Sequence, residues 1–407
     1  MMKSYEIKDT ELLYWDDSYA NEFEAIIKDV TDKGIILDKT LFYPFGGGQV
    51  SDEGFIIPKT NQNMKIRVTS VENENGKIIH FINKNDLQKL KPGEKIIGKI
   101  HWERRYEIMK GHTSQHILSA LILDKTGIMT SKAVLDVSEV SIYLSEKING
   151  EELAKIIIET NKLLLSGKGV ESSLTKKKEL TPPIKKKLRG DIISKDIEEL
   201  RIVTVQDTDL SLCGGTHIKN TKEIGIIVLT DFKGNIINYT IGDVALTNLA
   251  QINLDFITTA KQLAVKPKEV GVRITKSIEE LGELRKENSF LTKTVMKFLI
   301  EEMKKETIKI GSLEVLKGDF RFAEKKFVLQ ELGELPENNI ILFNVKGPIL
   351  VIMSSSKILP ANELISAFCE KTKNKGGGSS TIAQAGTTDP DNSIEIMLEI
   401  IKEKLKK

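Results

Sequence analysis

Two short motifs hold the residues of this sequence that are best suited to chemistry. His112 and His116 stand four residues apart, and Cys213 is followed by His217 at the same spacing. On a helix this spacing puts the first two imidazoles on one face, about one turn apart. The two glycines after Cys213 allow a tight turn in which the thiolate and the last imidazole converge. Imidazole and thiolate are borderline-soft ligands, and we therefore predict that the four residues share one Zn2+ ion.

The sequence does not decide whether such a zinc site is structural or catalytic. Four protein ligands are typical of a closed, structural zinc site. A catalytic site instead needs a ligand that is weak or absent, or a coordination shell that expands to admit water. The sequence also leaves open whether Cys213 binds the metal or only lies beside it.

A glycine-rich segment follows a predicted strand near the start of the chain, where Gly46, Gly47 and Gly48 precede Gln49. Without side chains, the glycines let the backbone approach a ligand or another domain closely. Their N–H groups are suited to bind phosphate or the terminal atoms of a substrate. The alternative is a tight turn that binds nothing.

A second glycine-rich loop lies near the end of the chain, where Lys375 is followed by Gly376, Gly377 and Gly378. With the lysines before it, this loop is suited to contact an RNA backbone. The alternative is a helix C-cap followed by a flexible turn. The densest basic run, at residues 176–178 and 185–189, is either a solvated face or a second phosphate contact.

The composition describes the molecule that must position these groups. The 407 residues are 40% hydrophobic and 29% charged, and the formal net charge is +2. These values exclude a disordered or collagen-like chain, and they require any nucleic acid to bind a local basic patch. Two cysteines cannot build a disulfide framework, so we expect a reducing compartment, and Cys369 has no evident role. Because no run approaches about 20 apolar residues, we expect a cytoplasmic protein.

The pattern of short and long elements predicts an α+β multidomain fold. Residues 1–92 alternate β-rich runs with turn residues, which indicates a small antiparallel β-barrel interrupted by one helix at residues 18–27. Residues 93–245 carry longer patterns, with helices at 105–125 and 151–165, and predict an α+β domain that holds the zinc ligands. Residues 311–407 predict an α/β domain with a β-hairpin and two helices.

Residues 246–310 are predicted to form a helical linker with a coiled-coil-like seam. Steps of three and four residues connect Leu281, Leu284, Asn288, Leu291, Val295 and Phe298. Such a seam favours a homodimer through residues 274–300, in which the single polar residue, Asn288, fixes the register. The alternative is an intramolecular hairpin with a helix at residues 248–263.

The order of these motifs resembles that of one protein family. Residues 38–49 read DKTLFYPFGGGQ, residues 102–105 read WERR ahead of the histidine pair, and residues 212–217 read LCGGTH. This order closely resembles the alanyl-tRNA editing proteins of the AlaX type, which look like freestanding versions of the editing half of alanyl-tRNA synthetase. Residues 376–386 are similar to the DHH-associated domain that ends that synthetase.

The resemblance implies a hydrolase that cleaves the ester joining a wrong amino acid, serine or glycine, to tRNA(Ala). Such an enzyme acts in trans, depends on Zn2+, needs no ATP and serves translation fidelity. It ends in an RNA-binding domain, with Lys375, Gly376, Gly377 and Gly378 as expected tRNA contacts. No aminoacylation domain precedes the barrel, so we expect correction of the product without its synthesis.

The resemblance also assigns roles to single residues. His112, His116, Cys213 and His217 match the family's metal-binding positions, and the first two are expected to be catalytic. Thr40, the third expected catalytic residue, matches a threonine whose hydroxyl lies near the substrate side chain. A site that hydrogen-bonds the hydroxyl of serine rejects alanine more strongly than size alone does.

The segment from Gly46 to Gln49 matches the glycine-rich motif beside the editing cleft. The sequence departs from the family at Lys132, where the synthetase has a glutamine near its active site, and at residues 238–240, where many members have an arginine. Two other functions remain open: a tRNA-binding protein with a structural zinc and no turnover, and an editor of a different mischarged tRNA.

Overall fold

A computed structural model describes residues 10–189 and 199–406 of the chain. The chain divides into two compact units, one up to Thr259 and one from Ala260 onward. Helices and sheets alternate in both units, so the expected α+β multidomain class is confirmed. The finer division at residues 92, 245 and 310 stays a prediction.

The first part of the first unit is a seven-stranded sheet with the strand order β6-β5-β9-β2-β3-β8-β7. A separate parallel pair joins β1 to β4. The elements are β1 (Glu11–Leu12), α1 (Leu13–Asp16), β2 (Glu22–Val30), β3 (Gly34–Leu37), β4 (Lys39–Thr40), β5 (Gly54–Pro58), β6 (Ile66–Val68), β7 (Ser70–Glu74), β8 (Lys77–Phe81), α2 (Lys84–Leu87) and β9 (Lys95–Ile100).

The expected closed barrel is wrong, because no ladder between the described residues joins the two edges of this sheet. The edge strands β6 and β7 follow each other directly in the chain around Thr69, so they continue end to end rather than pair side by side. The helix predicted at residues 18–27 is also wrong. Most of that stretch lies in β2, whose side chains alternate between exposed and buried with the period of two that a strand requires.

The second part of the first unit is built around one long helix, α3, which is buried at nearly every position from Ile108 to Ile122. It packs with α4 against a four-stranded antiparallel sheet of order β10-β11-β16-β15, and a three-stranded sheet β12-β13-β14 follows. The elements are α3 (Trp102–Thr126), β10 (Thr130–Leu135), β11 (Glu139–Leu144), α4 (Gly150–Ser166), β12 (Val170–Lys176), α5 (Pro182–Lys187), β13 (Glu199–Val205), β14 (Asp209–Leu212), β15 (Ile227–Phe232), β16 (Ile236–Ile241) and α6 (Gly242–Gln262), with 3₁₀ turns at Lys177–Glu179 and Thr221–Ile224.

A buried ion pair connects α3 to the segment that carries the first glycine-rich motif. The guanidinium of Arg105 donates to both carboxylate oxygens of Asp52, and it also binds the carbonyl of Leu41. Asp52 accepts a further hydrogen bond from the backbone N–H of Tyr43 at 2.6 Å. Both charged side chains are fully buried, so neither can lose its partner without a large desolvation cost. The pair therefore fixes the glycine-rich segment against the helix that carries two of the predicted zinc ligands.

The second unit is a six-stranded mixed sheet of order β17-β18-β19-β20-β22-β21, with β18 and β19 parallel. Alternate residues of its central strands enter two cores, one lined by α9 and α10 and the other by α7 and α8. The elements are α7 (Val270–Lys305), β17 (Ile308–Ile310), β18 (Leu313–Phe320), α8 (Lys325–Leu332), β19 (Asn339–Val345), β20 (Ile349–Ser354), α9 (Ala361–Thr372), β21 (Gly376–Gly378), β22 (Ile382–Gly386) and α10 (Pro390–Leu405), with a 3₁₀ turn at Pro267–Glu269. The predicted hairpin and the two predicted helices of this region correspond to β19 and β20, α9 and α10.

Helices α6 and α7 both leave large apolar side chains exposed. On α7 these include the predicted seam residues Leu281, Leu284, Leu291, Val295 and Phe298, each at least 45% exposed. Across the two described ranges, no helix has both the length and the apolar character needed to cross a bilayer.

Candidate metal centre

The four predicted zinc ligands lie together in the first unit and are all buried. Their ligand atoms are within 4.8 Å of one another, although they come from two segments nearly 100 residues apart. Helix α3 supplies His112 and His116, and the loop after β14 supplies Cys213 and His217. The Sγ atom of Cys213 is 3.4 Å from Nε2 of His112 and 3.3 Å from Nε2 of His217. A single cation can therefore be reached by all four side chains.

Neighbouring acceptors fix the protonation of two of these imidazoles. Nδ1 of His112 is 2.8 Å from Oε1 of Gln49, an amide oxygen that can only accept. Nδ1 of His217 is 3.0 Å from the hydroxyl of Thr113, whose own proton goes to the carbonyl of Met109. In both rings the Nδ1 atom must carry the proton, which leaves the Nε2 lone pair free to bind a metal.

The third imidazole is held by a carboxylate that is itself held by an arginine. Nδ1 of His116 donates to Oδ2 of Asp209 at 3.0 Å. The guanidinium of Arg189 binds both oxygens of Asp209, at 2.5 and 2.7 Å, and also the carbonyl of His116. Although burial alone would raise the pKa of Asp209, His116 and Arg189 hold it below its ordinary value. The carboxylate is therefore charged and keeps His116 in the same tautomer as the other two rings.

The electrostatics of the cluster fit a divalent cation. Burial alone would raise the pKa of the Cys213 thiol, but the three imidazoles hold it well below its ordinary value. Burial, together with its neighbour His112, lowers the pKa of His217 to about 3. For His116 burial acts in the same direction, but the charges of Cys213 and Asp209 outweigh it and raise the pKa to about 9. A thiolate and three directed lone pairs form the donor set that zinc prefers, and the cation would replace the proton that His116 otherwise holds.

The carbonyl groups of the loop that carries Cys213 and His217 accept hydrogen bonds from side chains outside the loop. Nη1 of Arg201 donates to the carbonyls of Cys213 and Gly215 at 2.9 and 2.8 Å. The indole N–H of Trp15 donates to Gly214, and the hydroxyl of Ser18 donates to His217. Because its backbone is held at these four points, the loop presents its two ligands in one conformation.

A cavity of about 620 Å3 opens beside the cluster. Its lining includes His116, the neighbouring Gln115, and Gly47 and Gly48 of the first glycine-rich segment. Lys132 of β10 and Arg189 add two cationic side chains to the same wall. The cavity has the size of a small-molecule site, and one of the four metal-binding candidates faces it.

The structure brings the first glycine-rich segment into this site. Gln49 is fully buried and holds both His112 and, through its Nε2 atom, the hydroxyl of Thr216. Gly48 adopts a positive φ of 86°, and a Cβ there would lie 2.3 Å from the carbonyl oxygen of Ala133. The glycine is required because the segment packs directly against β10, whose Leu135 N–H donates to the Gly48 carbonyl.

Thr40 has its hydroxyl engaged inside the N-terminal sheet. It is fully buried, and Oγ1 is 2.8 Å from Nε2 of His80 and accepts from the N–H of Phe42 at 3.0 Å. Nδ1 of His80 faces the carbonyl of Ile35, so Nε2 is the acceptor and the proton of Thr40 is donated to it. Thr40 is not among the described residues that line the cavity.

The remaining predicted contacts lie elsewhere. Gly376, Gly377 and Gly378 form the exposed edge strand β21 of the second unit, and Lys375 directly before it is also exposed. Lys132, the departure from the family pattern, faces the cavity. Cys369 is partly buried on α9, where burial raises the pKa of its thiol.

Several residues that shape the centre could not be selected from the sequence. Asp209 and Arg201 are ordinary residue types outside any recognisable motif, and Thr113 occupies an unspecified position between the two histidines of α3, so only the folded arrangement shows which ligand each one holds. Arg189 belongs to a basic run in the sequence, yet its guanidinium binds Asp209. Residues 190–198, which follow it, lie outside the described residues.

Comparisons with known proteins agree with the motifs. The family described as tRNA synthetases class II (A) matches residues 6–104, and the one described as Threonyl and Alanyl tRNA synthetase second additional domain matches residues 200–241. The chain is 27% identical, over 97% of its length, to alanyl-tRNA editing protein AlaX-L of Pyrococcus horikoshii, of which it covers 99%. The resemblance to alanyl-tRNA editing proteins is thereby confirmed.

Longer proteins match as well. The chain is 28% identical, over 96% of its length, to alanine–tRNA ligase of Methanococcus maripaludis, but it spans only 43% of that protein. Among solved structures, the C-Ala domain of Aquifex aeolicus alanyl-tRNA synthetase matches 25% of the chain at 23% identity with a TM-score of 0.22, which is too low to support a structural conclusion.

Proposed function

We propose that this chain is a zinc-dependent hydrolase that removes serine, and also glycine, from mischarged tRNA(Ala) in trans. The observation that carries the proposal is the position of His116, which belongs to the four-ligand cluster and also lines the 620 Å3 cavity. The similarity along almost the whole chain to an alanyl-tRNA editing protein supports the substrate class.

The chain's own residues would prepare this site for ester hydrolysis. A zinc ion bound by His112, His116, Cys213 and His217 would polarise the ester carbonyl or lower the pKa of a water molecule for attack on it. Gln49, Thr113 and Asp209 hold the three rings in the tautomer that such binding needs.

The polar groups of the cavity wall would orient the aminoacyl group. Gln115, Thr130, Ser131 and Ser211 are uncharged polar residues that line the cavity together with His116. The three hydroxyls donate to Ser119, to the carbonyl of Tyr143 and to Asp209, so toward a substrate they would act as acceptors. A hydroxyl bound in this way gives serine an interaction that alanine cannot make, and the unpaired polar group that alanine leaves behind disfavours it. Thr40 stays a proposed contributor to this discrimination on the family resemblance alone.

The second unit would bind the rest of the substrate and a second copy of the chain. We propose that Lys375, Gly376, Gly377 and Gly378 contact the RNA backbone from the exposed edge strand β21. We also propose that the exposed seam of α7 pairs with the same seam of a second chain, in preference to an intramolecular hairpin.

The deciding experiment compares Ser-tRNA(Ala), Gly-tRNA(Ala) and Ala-tRNA(Ala), each incubated with the zinc-loaded protein, with and without a chelator. We expect rapid, chelator-sensitive loss of serine and glycine, with alanine retained. If stoichiometric zinc is bound and all three esters persist, the hydrolase proposal is wrong.

Two histidine variants separate turnover from binding. His116→Ala should abolish hydrolysis while leaving tRNA affinity nearly unchanged. His101→Asn is the matched control, because His101 is an exposed N-cap residue of the same helix and asparagine preserves the cap. If His116→Ala and the control hydrolyse Ser-tRNA(Ala) equally, the zinc is structural. If other mischarged tRNAs are cleaved in preference to Ser-tRNA(Ala), the substrate is a different one.

A further inference from the structure

We propose that Phe45 and Lys132 form the subsite for the terminal nucleotide of the RNA, with the base stacked on Phe45 and the phosphate bound by Lys132. The inference rests on the proposed function, because the scissile ester is attached to the ribose of that nucleotide. If the ester carbonyl reaches His116, the adjoining cavity is the space in which the base and the phosphate of the same nucleotide can lie. Phe45 and Lys132 both line that cavity.

Phe45 presents an aromatic face on a rigid support. Its side chain is 62% exposed, although it lines the cavity together with Gly47 and Gly48. Its N–H donates to the carbonyl of Val71 at 2.8 Å, and the hydroxyl of Tyr43 donates to the carbonyl of the next residue, Gly46, at 3.1 Å. An exposed aromatic ring on a fixed loop beside a cavity is suited to stack a base, which every nucleotide provides.

Lys132 supplies the charge that this subsite needs. Of the two cations among the described residues of the cavity wall, Arg189 is engaged with Asp209, whereas Lys132 is exposed and has its Nζ 5.4 Å from the centre of the Tyr143 ring. An aromatic platform next to a cation is the combination by which proteins bind single-stranded nucleic acid. The lysine that replaces the family's glutamine therefore has a use here: it places a positive charge beside a polyanionic substrate.

The test measures binding and involves no hydrolysis. Two RNA hairpins without an attached amino acid end in single-stranded CCA and carry a fluorophore at the 5′ end. One of them lacks the base of the last nucleotide. We expect the zinc-loaded protein to bind the abasic hairpin roughly tenfold more weakly in an anisotropy titration, as the loss of one stacked base predicts. Phe45→Ala should bind both hairpins equally, and Phe45→Trp should retain the difference.

Lys132→Gln should lower the affinity for both hairpins by the same factor, because a phosphate contact does not depend on the base. It should also lower the salt dependence of binding. Ile158→Ala and Lys155→Gln are matched controls, since both residues are exposed on α4 and do not line the cavity. Bound zinc reports that each variant is folded.

Equal binding of both hairpins by the unmodified protein would overturn the subsite, and so would an undiminished difference in Phe45→Ala. The result is independent of catalysis. If the protein leaves Ser-tRNA(Ala) intact but still binds the two hairpins with different affinities, the subsite stands and the hydrolase proposal is wrong. If it hydrolyses Ser-tRNA(Ala) but binds both hairpins equally, the hydrolase proposal stands and the subsite is wrong.

Discussion

Gly215 has almost no free space next to the metal centre. A Cβ atom at this position would lie 2.2 Å from Cε1 of His112 and 2.8 Å from Oε1 of Gln49. We predict that Gly215→Ala displaces the His112 ring and abolishes stoichiometric zinc binding, measured by metal analysis after gel filtration. Gly214→Ala is the control, because a Cβ atom added there would meet nothing within 4 Å. Equal zinc content in the two variants would contradict the prediction.

Asp209 acts on the metal site through His116, and its removal should weaken metal binding without removing a ligand. We predict that Asp209→Asn lowers zinc affinity by roughly tenfold to hundredfold, as is usual for carboxylates that orient a metal-bound histidine. Competition with a fluorescent chelator measures the change. Asp207→Asn is the control, because Asp207 is exposed and pairs only with Lys168 among the contacts described for it. Unchanged affinity in Asp209→Asn would show that the partner of His116 need not be charged, since the amide oxygen of asparagine can still accept its Nδ1–H.

At the scale of elements, α3 is the support of the whole centre. It carries two ligands, it is buried along most of its length, and Arg105 at its start is bound to Asp52. The sequence predicts this helix at residues 105–125 from its long pattern. It does not predict the strand β2, because the run Glu-Phe-Glu-Ala-Ile-Ile contains good helix formers, and only the pairing with β3 and β9 selects the extended form.

The same contrast applies to the candidate site. The four ligands are predictable because histidine and cysteine are rare in this chain and stand in two tight pairs. The groups that hold them are not, because hydrogen bonding between Asp209 and His116 joins residues 93 positions apart. For Thr40 the motif predicts a substrate contact. In the structure its hydroxyl donates to His80, a partner that the sequence does not reveal.

Helix α7 carries the prediction for self-association. Asn288 lies on the exposed seam, where its side chain accepts from the hydroxyl of Thr292. We predict that Asn288→Leu strengthens association and relaxes its stoichiometry, because a single polar residue in a heptad seam costs stability and fixes register. Leu284→Glu together with Leu291→Glu should give a monomer. Sedimentation equilibrium measures both results, Lys286→Glu is the control, and a monomeric unmodified chain at micromolar concentration would remove the premise.

At the scale of the whole molecule, a net charge of +2 means that RNA affinity must come from local patches. Lys373 and Lys375 are both exposed next to β21. We predict that replacing both with glutamine raises the KM for Ser-tRNA(Ala) several-fold and leaves kcat unchanged, because these lysines would position the RNA away from the ester. The slope of the logarithm of tRNA affinity against the logarithm of salt concentration should also become shallower, by the equivalent of about two phosphate contacts.

Lys326→Gln serves as the control for this pair, since Lys326 is exposed in the same unit on α8. A kcat that falls with an unchanged KM would show that the loop acts on the reaction itself. No change in either constant would remove this loop from the RNA surface.

The separation of the four candidate ligands along the chain would determine when during synthesis a metal ion can be bound. Cys213 follows His116 by 97 positions. At roughly 5–20 residues per second, the ribosome adds the two histidines of α3 about 5–20 seconds before Cys213, and His217 completes the set shortly afterwards. Until Cys213 is added, the nascent chain offers only two imidazole nitrogens to a metal ion, half of the ligand set. A zinc ion bound at this site would therefore be held firmly only after the stretch through His217 has been translated, while β15 and β16 of the first unit are still to follow.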